Sequence, residues 1–244
     1  MQDAHIAGLP VRIFRISFTG ELSFEINIRA RHGLALWQLL MNAGRDHVIT
    51  PYGTEAMHVL RAEKGFIIVG QETDGSVTPH DLGMDWIVSK TKPDFIGKRA
   101  LARALMSDDN RKQLVGLVTR DRKRVIPEGA HAVLEPNQPK PMEMLGQVTS
   151  SYYSPNVGGS IAMAMLKGGR SLKGGTVYLP MLDGDVIEAE VIQDHSPHQD
   201  HQRRRQGNAT KRAPDASHTE FVEGLAPVQA AAQSSPLHHK ALQK

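Results

Sequence analysis

The chain contains no cysteine, and this absence excludes several kinds of chemistry. Without thiols there are no disulfides, no thiolate nucleophile and no cysteine-ligated zinc or iron–sulfur centre. Apolar runs also stay well short of the about 20 residues that a membrane helix needs. The first residues do not have the basic-then-apolar layout of a secretory signal. We therefore expect a cytoplasmic protein that has no membrane partner.

An excess of positive charge is missing from most of the chain. The formal net charge is +3, but the stretch from His195 onward has seven Lys/Arg and four Asp/Glu, which leaves 22 of each in residues 1–194. Proteins that bind nucleic acids present a basic face or stripe to the phosphates. The neutral charge balance of residues 1–194 predicts no nucleic-acid partner.

The N-terminal part contains mixed strand and helix patterns. "RIFRISF" and "LSFEINI" alternate apolar and polar residues, and the link Thr19-Gly20-Glu21 has the length of a three-residue hairpin loop. Helices are predicted for "LALWQLLMNAG", ending at Gly44, and for the stretch from Thr54 to Gly65. Two short apolar runs, "FIIVG" and "MDWIVSK", predict further strands.

A polar stretch, "SDDNRK", separates this part from a run of short strands. From "QLVGLVT" onward, β-like runs alternate with Gly- and Pro-containing turns, which is typical of a small barrel or sandwich. The fold class is therefore α+β, with a mixed domain over residues 1–107 and a small all-β domain over residues 112–193.

Residues 194–244 are polar and almost free of large apolar side chains, so we expect a disordered tail. His195, His198 and His201 have a spacing that could bind a metal on a helix, but Pro197 lies among them. We therefore predict no metal site in this chain.

Glu25 is the first candidate binding residue. Alternation from Phe24 places Ser23, Glu25 and Asn27 on the polar side of the strand. In the predicted hairpin Arg15 lies opposite Glu25, so one interpretation is a cross-strand ion pair contributing about 0.2–1 kcal/mol. The other interpretation is a ligand contact, because a carboxylate can accept two adjacent donors in a bidentate pair.

Arg61 is the second candidate, near the end of the second predicted helix. A cation there compensates the helix dipole, which is a common structural role. Its planar guanidinium also suits a carboxylate or a carbonyl-bearing ring. Both interpretations remain open from the residues alone.

Several stretches, taken together and in order, resemble one protein family. They are "FTGELSFEI", "YGTEAMHVLRAEKGF", "VTPHDLGMDWIV", "DFIGKRAL", "LVGL", "GQVTSSYYSPNVGGSIAMAM" and "GTVYLP". This set is similar to the folate-binding aminomethyltransferases, which include the glycine-cleavage T-protein. Within the family, the chain most resembles the C-terminal part of the alpha subunits of heterotetrameric sarcosine oxidases. The resemblance covers roughly residues 10–193 and implies an incomplete folate-binding domain followed by a C-terminal β-barrel.

The resemblance implies five residues that contact folate. Glu25 is similar to the last acid of a "TGExxFE" motif that holds the pterin, and Arg61 to the arginine of an "LRLEAG" motif. Phe18 stands where relatives often have a tyrosine. Trp86 and Tyr153 are implied near the bound cofactor, although a core role for Trp86 and a barrel-edge role for Tyr152 and Tyr153 are simpler.

The implied reaction is oxidative demethylation of sarcosine to glycine, by an oxidoreductase acting on a CH–NH donor. A sarcosine-derived imine passes its one-carbon unit to tetrahydrofolate, giving 5,10-methylenetetrahydrofolate. FAD, FMN and NAD belong to the whole parent complex and not to this chain, which contains no GxGxxG after a strand. The implied protein partners are the beta, gamma and delta subunits.

The catalytic residue is unknown from this sequence. The family's catalytic aspartate lies in a preceding segment, so we expect the chain to be a fragment that binds folate poorly and is inactive alone. A fused or frameshifted gene boundary would explain the tail, where "SSPLHHKAL" resembles the start of the gamma subunit. The alternatives are an aminomethyltransferase of the T-protein type or a non-catalytic assembly module.

Overall fold

The structure is a computed structural model that describes residues 1–106 and 108–192. The described residues form two compact units, one spanning Met1–Gly53 and the other beginning at Thr54. Helices and antiparallel sheets occur together, so the predicted α+β class with a C-terminal barrel is confirmed. The predicted disorder of residues 194–244, including His195, His198 and His201, concerns residues outside the described ranges.

The first unit is a small sheet covered on one face by a helix. Its strands β1 (Gln2–Ile6), β2 (Leu9–Phe14) and β3 (Glu25–Ile28) are antiparallel, in the order β1-β2-β3. Helix α1 (Gly33–Ala43) follows, flanked by 3-10 turns at Ala30–His32 and Arg45–His47. The core of the unit comprises Ile6, Val11, Ile13 and Leu36, with Phe24, Ile26 and Ile28 packed against it.

The predicted hairpin is wrong in its register. The strand β2 ends at Phe14 and β3 begins at Glu25, so residues 15–24 form a ten-residue connection rather than the end of two strands and a tight turn. Thr19 is buried in this connection. The observed pairing differs from the predicted one by one residue, so Phe14, and not Arg15, lies opposite Glu25. Because side chains alternate along a strand, a shift of one residue exchanges the side chains on its two faces.

Both predicted helices are confirmed. The helix α1 ends at Ala43 with Gly44 as its C-cap, and α2 spans Thr54–Glu63. Gly65 adopts φ +70°, and the amide of Phe66 donates to the carbonyl of Arg61 over 2.9 Å. This left-handed residue satisfies the last carbonyl groups of α2 and turns the chain away from the helix axis.

The two predicted strands after α2 are wrong. "FIIVG" has no strand in the structure, and "MDWIVSK" contains a 3-10 turn at Asp85–Ile87. Among the described residues, neither apolar run pairs with a strand, and Trp86 and Ile87 are exposed. A short helix α3 (Lys98–Leu101) and a 3-10 turn at Ala104–Met106 complete this stretch.

The second unit contains a closed barrel of six strands. They are β4 (Lys112–Thr119), β5 (His131–Ala132), β6 (Gly146–Ser154), β7 (Gly159–Lys167), β8 (Thr176–Pro180) and β9 (Val186–Ile192). Their order is β5-β6-β7-β4-β9-β8, and reciprocal backbone hydrogen bonds between Val133 and Tyr178 close the ring. The barrel interior is apolar, with Leu117, Leu166 and Leu179 fully buried.

Within the described ranges, none of the helices is both long enough and apolar enough to cross a membrane. In the same ranges, His, Asp and Glu side chains do not form a group of three or more that could hold a metal ion.

Candidate functional site

Glu25 lies at the start of β3, on the face of the sheet that points away from α1. The side chains of Ile26 and Ile28 pack against the core of the first unit, whereas Glu25 and Asn27 are exposed. Phe14 is the cross-strand neighbour of Glu25. Within the described residues, the Glu25 carboxylate has no hydrogen bond or ion pair to another side chain. The predicted Arg15–Glu25 ion pair is therefore wrong, and the carboxylate is available to a ligand.

Phe18 lies in the connection between β2 and β3 rather than in a strand. Its side chain is half-buried, and the next residue, Thr19, is buried. The structure therefore places Phe18 within the ten-residue connection and Glu25 seven residues later, at the start of β3 of the same unit. The role of Phe18 as a folate contact stays a prediction.

Arg61 is fully buried in the second unit. Its Nη1 donates to the carbonyl of Phe66 and to Glu72 Oε2, each over 3.1 Å. Its Nη2 donates to Ser150 Oγ over 2.6 Å and to the Tyr152 hydroxyl over 3.3 Å. These partners use most of the donors of the guanidinium, and no surface of Arg61 is left for a ligand.

The partner of Arg61, Glu72, is 2% exposed. One carboxylate oxygen accepts the amide of Ile68 over 2.7 Å, and the other accepts the hydroxyl of Ser150. The charge of Glu72 is therefore paired and fully hydrogen-bonded, which is the condition under which a buried carboxylate is tolerated. This network joins the end of α2 to the strand β6 of the barrel.

A second contact between α2 and the barrel begins at Glu63, the last residue of the helix. The hydroxyl of Ser154 donates to Glu63 Oε1 over 2.5 Å, and the Asn156 amide donates to both carboxylate oxygens over 3.1–3.2 Å. Ser154 Oγ also accepts the amide of Val157 over 3.0 Å. The "LRAEKG" stretch thus holds α2 to the turn between β6 and β7.

A third contact, this one an ion pair, joins the loop before the 3-10 turn at Asp85–Ile87 to the start of the barrel. Arg111 donates from Nε and Nη2 to the carboxylate of Asp81, with a shortest distance of 2.7 Å, and Thr78 donates from its amide and hydroxyl. Burial by itself raises the pKa of Asp81, but the hydrogen bonds from Arg111 and Thr78 outweigh it and hold that pKa below its ordinary value. A polar cleft of about 430 Å³ opens beside Asp81, Arg111 and Glu72.

Trp86 and Tyr153 both lie on the surface of the second unit. Trp86 is 66% exposed in its 3-10 turn, and Tyr153 is 50% exposed on β6. The core interpretation of Trp86 is therefore wrong. Tyr153 points away from Arg61, whose aromatic neighbour is Tyr152, with the guanidinium carbon 5.8 Å from the ring centroid. Folate contacts by Trp86 and Tyr153 stay predictions.

The sequence reasoning missed Glu72, Ser150 and the Asp81–Arg111 pair. "GQETDG" reads as a surface turn, and only the tertiary structure shows that the acid in it is buried. A signal existed for Asp81, because the spacing Thr78-Pro-His-Asp81 is typical of a turn in which the first hydroxyl and the later acid bond each other's backbone.

The fold is that of a glycine-cleavage aminomethyltransferase. The structure is similar to the crystal structure of glycine cleavage system aminomethyltransferase T from Bartonella henselae, with a TM-score of 0.64 and 28% identity, over 74% of this chain and 48% of that chain. Residues 1–92 match the GCVT N-terminal domain, and residues 112–196 match the glycine cleavage T-protein C-terminal barrel domain. The chain therefore belongs to the glycine cleavage T-protein family.

Two curated relatives illustrate the range of this similarity. The sarcosine oxidase subunit alpha of Corynebacterium sp. (strain U-96) is 48% identical over 189 residues, which is 76% of this chain and 19% of the relative. The aminomethyltransferase of Streptomyces coelicolor is 36% identical over 162 residues, which is 65% of this chain and 42% of the relative. The chain thus spans about a fifth to less than half of the length of these relatives.

Proposed function

We propose that the chain supplies part of the tetrahydrofolate site of an enzyme that transfers a one-carbon unit. The observation that carries the proposal is the exposed and unpartnered carboxylate of Glu25, in the motif "TGELSFE" of a chain that belongs to the T-protein family. A pterin presents two adjacent N–H donors, and a carboxylate with both oxygens free is a matching bidentate acceptor. The chemistry of Glu25 therefore fits reduced folate.

The particular enzyme in this proposal is an alpha subunit of the sarcosine oxidase type, supported by the similarity to such subunits. Sarcosine would be oxidised to an imine, with the hydride going to a flavin held outside this chain, and transfer of the methylene carbon of that imine to tetrahydrofolate would release glycine. FAD, FMN and NAD, with the beta, gamma and delta subunits, belong to other parts of that complex. An aminomethyltransferase is the alternative enzyme, supported by the similarity to that group.

The residues of this chain bind and orient in this proposal, and none of them transfers a proton. Glu25 fixes the orientation of the pterin, while Phe18, Trp86 and Tyr153 remain proposed contacts. Holding two reactants in a near-attack geometry can lower a barrier by about 7–11 kcal/mol in favourable cases. For Arg61 the burial of the guanidinium favours a structural role, since a direct folate contact would require the end of α2 to open.

The test is a titration of the chain with 5-formyltetrahydrofolate, an air-stable reduced folate, followed by NMR to millimolar ligand so that weak binding is also measured. Replacing Glu25→Gln keeps the shape of the side chain and removes the charge. We expect the Kd to rise about tenfold, because hydrogen bonds to a charged group contribute roughly 1.5–3 kcal/mol.

Asp46→Asn is the matched control, since Asp46 is another exposed acid of the first unit and lies in the 3-10 turn at Arg45–His47, outside the sheet that carries Glu25. The control should bind like the unaltered chain. Equal affinity of the Glu25→Gln variant and the unaltered chain would remove Glu25 from the site. Absence of any binding up to millimolar ligand would overturn the proposed function of the chain.

A non-catalytic assembly role is a second candidate, favoured by the outer face of α1. Leu34 and Trp37 are one helical turn apart on this helix and are 70% and 53% exposed. Exposed apolar pairs of this kind occur at protein interfaces. Co-purification with beta, gamma and delta subunits that survives Glu25→Gln but fails after Leu34→Ser/Trp37→Ser would support assembly as a separate role.

A further inference from the structure

The face of the three-stranded sheet that points away from α1 carries side chains that are not part of the core of the first unit. Directly opposed residues of antiparallel strands lie on the same face. The register pairs Phe14 with Glu25 and Arg12 with Asn27, so these four side chains lie side by side on the face that points away from α1. Glu25 and Asn27 are two residues apart and therefore about 7 Å apart along β3.

Phe14 is unusual among the apolar residues of this sheet. The residue before it, Ile13, is buried in the core of the first unit, and Ile26 packs against the same core from β3. Phe14 lies on the opposite face and is only half-buried. An aromatic ring therefore stands next to a free carboxylate on an otherwise polar surface, at the usual cross-strand Cβ separation of about 4.5–5.5 Å.

Of the polar side chains near Phe14, Arg12 has a hydrogen-bond partner, whereas Glu25 and Asn27 have none among the described residues. Arg12 donates from Nε to Asp3 Oδ1 over 2.8 Å, so its guanidinium is directed toward β1 and away from Glu25. Within the described residues, the Asn27 amide has no hydrogen-bond partner. The free groups are thus one carboxylate that only accepts, one amide that can donate, and one aromatic face.

We propose that Phe14 and Asn27 complete a pterin-recognition surface with Glu25. This inference rests on the proposed function. A reduced pterin presents, along one edge, two N–H donors and then a carbonyl oxygen. Along β3, the Glu25 carboxylate supplies two acceptor oxygens and the Asn27 side-chain amide then supplies a donor, so the two patterns are complementary. Phe14 offers the flat apolar contact that a planar heterocycle needs beside such an edge. The three side chains together distinguish the pterin from the rest of the folate molecule.

The test uses the whole 244-residue chain, with 5-formyltetrahydrofolate as the probe and p-aminobenzoylglutamate as the comparison ligand without a pterin. The variants are Phe14→Leu, which removes the ring, Phe14→Tyr, which keeps it, and Asn27→Asp, which replaces the donor by an acceptor. We expect Phe14→Leu to raise the Kd for the folate about two- to tenfold and Phe14→Tyr to restore it. We expect Asn27→Asp to raise the Kd by a similar or larger factor.

A second readout is the ring-current shift of the pterin protons, which should be present with Phe14 or Tyr and absent with Leu. Phe14 is outside the core, so Phe14→Leu should fold, and amide NMR spectra of each variant check this directly. Binding of p-aminobenzoylglutamate should be equal in all variants.

The outcomes separate this inference from the proposed function. If Glu25→Gln weakens folate binding while Phe14→Leu and Asn27→Asp leave the Kd and the ring-current shift unchanged, the proposed function stands and this inference fails. Equal weakening for both ligands in the Phe14→Leu variant would also overturn it, because the ring would not then act on the pterin. If Glu25→Gln has no effect either, Glu25 is not part of the site and this inference fails with it, whereas the proposed function itself fails if the unaltered chain does not bind the folate.

Discussion

Glu25 and Glu72 are acids in two regions of the molecule that place a carboxylate in opposite situations. Glu25 is exposed on the sheet of the first unit and has no side-chain partner among the described residues. Glu72 is 2% exposed in the second unit and is bonded to Arg61, Ser150 and the amide of Ile68. The comparison shows that a carboxylate left solvated stays available to a ligand, whereas a carboxylate that the protein surrounds serves the fold.

The energetic consequences of removing each acid differ accordingly. Removing one member of a buried, hydrogen-bonded ion pair leaves the other charge uncompensated in the interior. Removing an exposed acid without a partner changes only its hydration, and such substitutions usually alter the free energy of unfolding by less than about 0.5 kcal/mol. Four substitutions test this difference.

Glu72→Ala should have the largest effect. It leaves the Arg61 guanidinium buried without its counter-charge, so we expect the free energy of unfolding of the second unit to fall by about 3–5 kcal/mol. Denaturant unfolding combined with hydrogen exchange of the barrel strands measures the loss. The double variant Arg61→Met/Glu72→Met is the control. Its loss of unfolding free energy should be much smaller than the sum of the losses measured for Arg61→Met and Glu72→Met separately. A loss below about 1 kcal/mol in Glu72→Ala would contradict the importance of the pair.

Asp81→Asn should have an intermediate effect that depends on pH. The pKa of Asp81 is lowered in the folded state, despite burial, by hydrogen bonds from Arg111 and Thr78. Its stabilisation is therefore fully present above the unfolded pKa of about 3.9 and is lost as the pH falls through the folded pKa.

At neutral pH we expect Asp81→Asn to lower the free energy of unfolding by roughly 1.5–3 kcal/mol, the range for hydrogen bonds to charged groups. The difference between the two proteins should shrink as the pH falls below about 3.9. Unfolding curves measured at several pH values test this. A difference that stays constant or grows toward acid would show that Asp81 is not held ionised by Arg111.

Ser154→Ala should have a smaller effect at the second contact between α2 and the barrel. Ser154 is fully buried, donates to Glu63 and accepts the amide of Val157. Losing these bonds should lower the free energy of unfolding by about 1–3 kcal/mol, because the amide and the carboxylate lose a partner. Ser171→Ala, at an exposed serine of the same unit, is the matched comparison. Equal stability of the two variants would mean that the contact contributes nothing measurable.

Glu25→Gln should have the smallest effect on stability. Its carboxylate has no partner to lose within the described residues, so the free energy of unfolding should change by less than about 0.5 kcal/mol. Hydrogen exchange of β2 and β3 should be unchanged, while folate affinity falls as proposed above. A clear destabilisation of the first unit would reverse the comparison, since it would show that Glu25 serves the fold.

The predictions from sequence succeeded where local periodicity is sufficient. The run of short barrel strands, two helices and the outward direction of Glu25 follow from alternation, capping glycines and apolar spacing. They failed where a partner from elsewhere in the chain is required. "MDWIVSK" has the composition of a strand, but a strand needs a pairing partner, and this stretch pairs with none of the described strands.

The types of the main elements and the polar character of the face that carries Glu25 follow from the amino-acid sequence, because both depend on residues within a few positions of each other. The tertiary structure alone decided that Phe14 stands opposite Glu25, since the register follows from a ten-residue connection and the pairing of three strands. It also decided that Arg61 is buried, because its partners Glu72, Ser150 and Tyr152 lie 11, 89 and 91 residues away. Whether a charged group is solvated depends on which distant segments of the chain cover it, and these segments cannot be inferred from the residues next to it in the sequence.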